Sequence, residues 1–187
     1  MADLLAGPAA EPLTRAEAKA YLRIDGEAED ALLDALIPAA RRLVEVETGR
    51  ALIDQTWRFS RDAWPLRGII PAPVSPVREI LDATVETLDG SAVPVPAGTL
   101  TLVSDRAPAL IRVDRAVAPA PARPHGGIVI TVKAGYGPDA ADVPADLIQA
   151  VRLVVAHFYE HRDGPGAATQ LPAAALALMA PYRVVRL

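Results

Sequence analysis

Cysteine is absent from all 187 residues, which removes disulfides, thiolate metal centres and cysteine nucleophiles together and fits a reducing compartment. Lysine is almost absent: only Lys19 and Lys133 accompany the many arginines. With acids and bases interspersed and a formal net charge of -4, there is no clustered basic tract for a sequence-independent grip on nucleic acid. Aromatic residues make up only 4%, leaving few platforms on which single-stranded bases could stack. No uncharged apolar run approaches the roughly 18 residues a spanning helix needs. The start, "MADLLAGPAAEPLTRAEAK", has no basic region followed by an apolar core, so neither secretion nor membrane insertion is expected. What is plentiful is apolar surface: 51% of residues are hydrophobic, enough for one compact domain or a core carrying an inserted lobe.

Helical signals come first. In "PLTRAEAKAYLRID", Thr14 stands three residues before Glu17, a capping box that predicts a short helix over Arg15 to Arg23, broken at Asp25-Gly26. From Glu27, a second helical stripe joins Leu32, Leu33, Leu36, Ile37, Ala40, Leu43 and Val44, with Arg41, Arg42, Glu45 and Glu47 placed mostly on the solvated side and Gly49 as a left-handed cap. Pro38 interrupts that pattern, and a kink or short break is expected near Ile37.

Between residues 52 and 134 the period changes to strand-like alternation with frequent prolines, predicting a small antiparallel β-rich insert. "TWRFSR", "TLTLV", "ALIRV" and "IVITVKA" read as strands, and "TVETLDGSAV" as a hairpin turning at Asp89-Gly90. "IIPAPVSPV" and "AVAPAPARPHGG" cannot donate a full ladder of hydrogen bonds and are expected to be extended connections, the second one mobile on its own.

At Val143 the helical period returns. Pro144 suits a first helical position, Asp142 a cap, and Leu147, Val151, Val154 and Phe158 form an apolar line until Asp163-Gly164-Pro165-Gly166. A last short helix is expected over about Pro172 to Ala180, followed by the strand-like tail "PYRVVRL". The fold class is therefore α+β: terminal helices over 1–51 and 135–180 forming a bundle, a β-rich insert over 52–134, and an extended tail over 181–187.

Chemistry is sparse. His157 and His161 share a helix face and are the candidate ligands of a metal-dependent hydrolase, but the zincin pattern needs Glu directly after the first His and Phe158 stands there. "AGYGP" lacks the lysine and hydroxyl of a phosphate-binding loop, the serines have no nucleophile elbow, and acidic pairs such as Asp139 and Asp142 fit caps before acid–base work. A DNA-binding packaging factor would need a helix-turn-helix, and the turn "DGEAED" would set acids against phosphates. No catalytic, cofactor or metal residue is assigned.

Taken together, "LTRAEAKAYLRID", "LLDALIPAARRLVEVETGRALIDQTW" and "VKAGYGPDAADVPADLIQAVRLVVAHFYEHRDG" resemble the head–tail connector (adaptor) proteins of long-tailed bacteriophages and gene transfer agents. The resemblance implies a closed homo-oligomeric ring, commonly a dodecamer, docked under a portal protein, extending the DNA channel and offering its far face to a stopper or tail protein. It places the chain in the virion neck, after assembly in the bacterial cytoplasm, and implies no chemistry.

On that basis Gly135 and Gly137 are hinge candidates, letting the last strand swing into a helix. Leu147, Val151, Val154 and Phe158 are expected to close a core against Leu32, Leu36, Leu43 and Val44. Excess apolar surface and the two proline-rich stretches are candidates for the faces between subunits. Pro181, Tyr182, Arg183, Val184, Val185, Arg186 and Leu187 form the candidate partner-binding tail, extended or disordered until added as a strand to the portal or a neighbouring ring.

Overall fold

A computed structural model describes residues 2–88, 90–161 and 171–184. The chain is α+β and divides into two compact units, one comprising Met1–Gly7 with Asp54–Tyr136 and the other Pro8–Ile53 with Gly137–Leu187. Residues 1–7 thus fall with the β unit and not with the helices that follow them.

Among the described residues the β unit holds eight strands: β1 (Ala2–Ala6), β2 (Gln55–Arg61), β3 (Ile69–Pro71), β4 (Val77–Glu86), β5 (Ala92–Pro94), β6 (Leu100–Val103), β7 (Leu110–Val113) and β8 (Ile128–Ala134). They form a five-stranded sheet ordered β1-β2-β8-β4-β5 and a three-stranded sheet ordered β3-β7-β6, with every pairing antiparallel. The alternation in β8 decides which face is inside. Ile128, Ile130, Val132 and Ala134 are fully buried, and register places Phe59 of β2 and Ala83 of β4 beside Ile130. The β4–β5 pair turns through Gly90 at φ 83°, where Thr87 N–H donates to Ser91 O at 2.9 Å; Asp89 lies outside the described residues.

Two readings of this region change. Ile69–Pro71, expected to be only a connection, pairs with β7, because its proline sits at the strand end where its missing donor breaks no interior ladder. The stretch from Ala116 to Gly127 has no regular element but is tied down: Trp64 Nε1 donates to Pro119 O at 2.7 Å, Ala122 N–H to Glu86 O at 3.2 Å, and Arg123 meets Glu86 at 2.6 Å. These bonds are made by residues far away in the chain, which a reading of the loop alone could not include.

Among the described residues the helical unit carries the α-helices α1 (Arg15–Leu22), α2 (Asp30–Thr48), α3 (Ala145–Glu160) and α4 (Ala173–Met179). Helix α2 packs on α3, α3 on α4, and α1 on both α2 and α3. Pro38 does not split α2, which runs unbroken. Burial of Leu33 and Ile37 before the proline, and of Ala40 and Val44 after it, outweighs the one missing donor. Gly49, at φ 70°, closes the helix by donating to Glu45 O at 2.8 Å. No helix among the described residues is long and apolar enough to cross a membrane.

The stripe of α2 is rotated from its expected centre. Leu33, Ile37, Ala40 and Val44 are buried, whereas Leu32, Leu36 and Leu43 are half-buried flanks. On α3, Leu147, Ala150, Val151, Val154 and Val155 are buried and Phe158 is half-buried. Arg41 and Glu45, expected on the solvated side, lie inside. They are admitted because each is paired: Arg41 Nη1 donates to Glu45 at 2.7 Å, Arg41 Nε to Glu11 at 2.7 Å, and Leu52 N–H to Glu45 at 3.0 Å.

The capping box at α1 is complete. Glu17 N–H donates to Thr14 Oγ1 at 3.2 Å, and Thr14 N–H returns to Glu17 Oε2 at 2.9 Å. Thr14→Ala is expected to destabilise the helical unit by about 1 kcal/mol, read from urea unfolding followed by helix circular dichroism, with Thr14→Gly costing only a few tenths. The Thr14 backbone N–H, then its hydroxyl, holds the Glu17 carboxyl below its usual value, burial opposes this, and Arg152 adds a small pull. Because the folded value is the lower one, this contribution is complete above the ordinary glutamate range and fades as pH falls through the folded value.

Candidate functional site

The segment predicted to bind a partner, residues 181–187, begins just after α4, and its described part folds back onto its own unit. Ala180–Tyr182 make a 3-10 turn in place of an extended strand. Helix α2 ends with carbonyls that have no partner within the helix, and Val184 N–H caps one of them, donating to Thr48 O at 2.9 Å. Arg50 Nε donates to Tyr182 O at 2.6 Å, and its guanidinium lies 5.8 Å from the Tyr182 ring centroid. Tyr182 Oη donates to Asp146 at 3.2 Å, in the first turn of α3, and Arg183 meets Glu47 at 2.8 Å.

Pro181 to Val184 are thus clasped to the end of α2 and the start of α3, which corrects the expectation of a free tail. The physical reason is an unsatisfied carbonyl at the end of α2 with the Glu47, Arg50 and Asp146 side chains around it, which a short segment can serve without joining a sheet. Val185, Arg186 and Leu187 lie outside the described residues. Glu47, Thr48, Arg50 and Asp146 carry the clasp and had no local signal, being 36 to 136 residues from their partners in sequence.

The two hinge candidates have different jobs. Gly135, at φ 148°, donates to Pro76 O at 2.9 Å. Gly137 forms a parallel bridge with Ile53, and any Cβ there would overlap the Asp142 side chain. Asp142 in turn accepts from Asp139 N–H at 3.1 Å, closing the 3-10 turn Ala140–Asp142. Asp142 therefore caps that turn, while Pro144 occupies the N-cap of α3, which begins at Ala145, one residue later than expected.

His157 and His161 have ring centroids 4.4 Å apart, and His161 Nδ1 lies 2.9 Å from His157 O. His157 Nε2 is buried without a hydrogen-bond partner among the described residues. No group of three or more His, Asp or Glu side chains able to hold a metal occurs among the described residues, so the pair has no third ligand there. The α1–α2 turn, the place a DNA-reading motif would use, carries exposed Asp25 and Glu27.

Residues 14–89 match a sequence profile of the phage gp6-like head-tail connector proteins. Among solved structures, the chain superimposes on a component of the neck of an empty GTA particle computed with C6 symmetry. The TM-score is 0.85 and the identity 32%, over 100% of this chain and 97% of that one. It also matches a chain from the virion of a native gene transfer agent (GTA) particle, with TM-score 0.83, 32% identity and the same coverage. A third match, in the neck of a native GTA particle computed with C12 symmetry, has TM-score 0.79 and 30% identity, again over 100% and 97% of the two chains. No curated protein matches the sequence.

Proposed function

Because the chain belongs to the phage gp6-like head–tail connector family, we propose that it works in the neck of a gene transfer agent particle as the structural joint between head and tail. The observation that carries this reading is similarity along the whole chain, at 32% identity and TM-score 0.85, to a protein of such a neck. In this reading identical copies close into a ring, twelve-fold under a portal protein, and the ring continues the DNA channel toward a stopper or tail protein. The chain supplies shape and contact surfaces and no chemistry. A net charge of -4 suits such a conduit, since a strongly basic lumen would hold the phosphate backbone.

The tail keeps a role here in reduced form. With Pro181 to Val184 clasped at home, Val185, Arg186 and Leu187 are the part left to reach a portal or adjacent ring by strand addition. Deleting the gene in a producing strain should yield filled heads without tails, and the full chain should restore them. A chain ending at Val184 should fold normally yet restore few. Normal tailed particles without the protein, or imaging that fails to place it at the neck, would overturn the connector reading. Full restoration by the shortened chain would remove only the role of the last three residues.

A further inference from the structure

Three arginines on the smaller sheet remain without ion-pair partners among the described residues. Arg112 is the exposed residue of β7, between buried Ile111 and Val113, and its register neighbours are Ile69 of β3 and Thr101 of β6. Arg67 lies in the turn that enters β3, and Arg115 follows β7; all three are exposed. With Leu66, Thr101 and Asp114 they line an open cleft of about 540 Å³. By contrast, Arg15, Arg41, Arg78, Arg123, Arg152 and Arg183 each meet a carboxylate.

The cleft is built on fixed backbone. Gly68 has φ 63°, donates to Pro65 O at 2.8 Å and accepts from Val113 N–H at 2.8 Å, while a Cβ there would stand 2.8 Å from Val113 O. Only glycine fits that turn. Arg115 Nη1 donates to Leu66 O at 3.2 Å, fixing the rim on which the Leu66 side chain is 85% exposed. Asp114, the one acid in the lining, already accepts from Ala116 N–H at 3.0 Å.

Guanidiniums beside a projecting leucine fit a carboxylate-bearing protein segment better than a nucleic acid. A phosphodiester backbone offers nothing for Leu66 to bury against, whereas arginine is enriched in the interfaces between proteins. The same chain carries a matching acidic element on its other unit. After α1, Arg23 at φ 57° and Gly26 at φ 76° form a turn. Lys19 Nζ clamps it, donating to Gly26 O and, at 2.7 Å, to Asp30. Asp25 and Glu27 are exposed on this clamped turn, and neither carboxylate has an ion-pair partner among the described residues.

We propose that the Arg67–Arg112–Arg115 cleft of one copy receives the Asp25–Glu27 turn of the next, forming the head-to-tail contact that closes the ring. This rests on the ring reading above. A ring of identical subunits needs two different, complementary faces on each, and here the β unit supplies the basic face and the helical unit the acidic one. Forked guanidinium donors match carboxylates in geometry as well as charge.

The test is a charge swap in a producing strain that lacks the native gene. Arg67→Glu with Arg112→Glu, and separately Asp25→Arg with Glu27→Arg, should each cut the protein found in purified particles about tenfold or more, because like charges then face each other. All four changes together should restore it. Circular dichroism and tryptophan fluorescence of each purified variant establish folding. As a second measure, the absence of cysteine lets Glu27→Cys with Arg112→Cys on one chain produce an oxidised ladder of linked neighbours in particles. Near-native incorporation of either two-site variant, or a four-site variant as defective as its parents with no ladder formed, overturns the proposal. So does loss of duplex-DNA binding in the arginine variant alone, with the acidic variant assembling normally. Absence of the unaltered protein from necks would instead sink the connector reading, and this contact with it.

Discussion

Replacing Glu45 with alanine is expected to lower the stability of the helical unit by about 3–5 kcal/mol, the cost of breaking a buried ion pair from one side. Glu45 is 5% exposed and accepts from Arg41 Nη1 at 2.7 Å and from the Leu52 N–H at 3.0 Å, with Arg42 Nη1 3.9 Å away. Truncation leaves Arg41, itself 9% exposed, with Glu11 alone, and strands an amide beside a fully buried leucine. Glu45→Gln retains an acceptor for Leu52 and should cost less. Arg41→Met with Glu45→Leu removes both members of this pair but leaves the Glu11 carboxylate without Arg41 and still orphans the Leu52 N–H, so a residual penalty of about 1–3 kcal/mol should survive. Helices α1 to α4 all lie in this unit, so ellipticity at 222 nm during urea unfolding reports on it. A loss below about 1 kcal/mol for Glu45→Ala would mean the pair is not desolvated as described.

Glu45 also marks where sequence reading stops. The period that placed Leu33, Ile37, Ala40 and Val44 on one stripe of α2 was legible, because burial of an apolar face leaves a spacing behind. Arg41, Glu45 and Thr48 continue that buried side, yet their polarity assigns them to water until the partners are known. Those partners, Glu11 and the Leu52 amide, are set by how the chain runs before α1 and how it returns after Gly49, which spacing does not encode.

The β unit divides in the same way. The strand β8 could be read from "IVITVKA" because it is a central strand, paired on both edges, whose Ile128, Ile130, Val132 and Ala134 all turn one face into the core. The strand β1 could not: "ADLLA" leaves Leu4 and Leu5 43% and 49% exposed, and is a strand only because the edge of β2 offers backbone partners. The tail errs in the opposite direction. "YRVVRL" has strand-like alternation, but the Thr48 carbonyl at the end of α2 and Arg50 draw Val184 and Tyr182 into a clasp. Arg67, Arg112 and Arg115 are scattered singly in sequence, and only the register of β3, β7 and β6 sets them around one cleft.

Phe59→Ala should destabilise the β unit by about 3–5 kcal/mol, the range for removing a buried aromatic side chain. Phe59 is 1% exposed and lies opposite Ile130, on the face of β8 that is wholly buried. Its loss opens a cavity between strands whose backbone ladders continue on both sides, with Ala2 on β1 and Ile130 on β8, so the sheet cannot collapse to fill it. Phe59→Leu keeps most of the volume and should cost much less. Both tryptophans, Trp57 and Trp64, belong to this unit, so fluorescence follows it selectively while ellipticity at 222 nm follows the helices. The fluorescence transition should move to lower urea; an unmoved one would mean that Phe59 is not a core residue. Against the roughly 5–15 kcal/mol that holds a typical domain folded, such a loss leaves little margin, so this variant should be depleted from particles although it alters no surface charge.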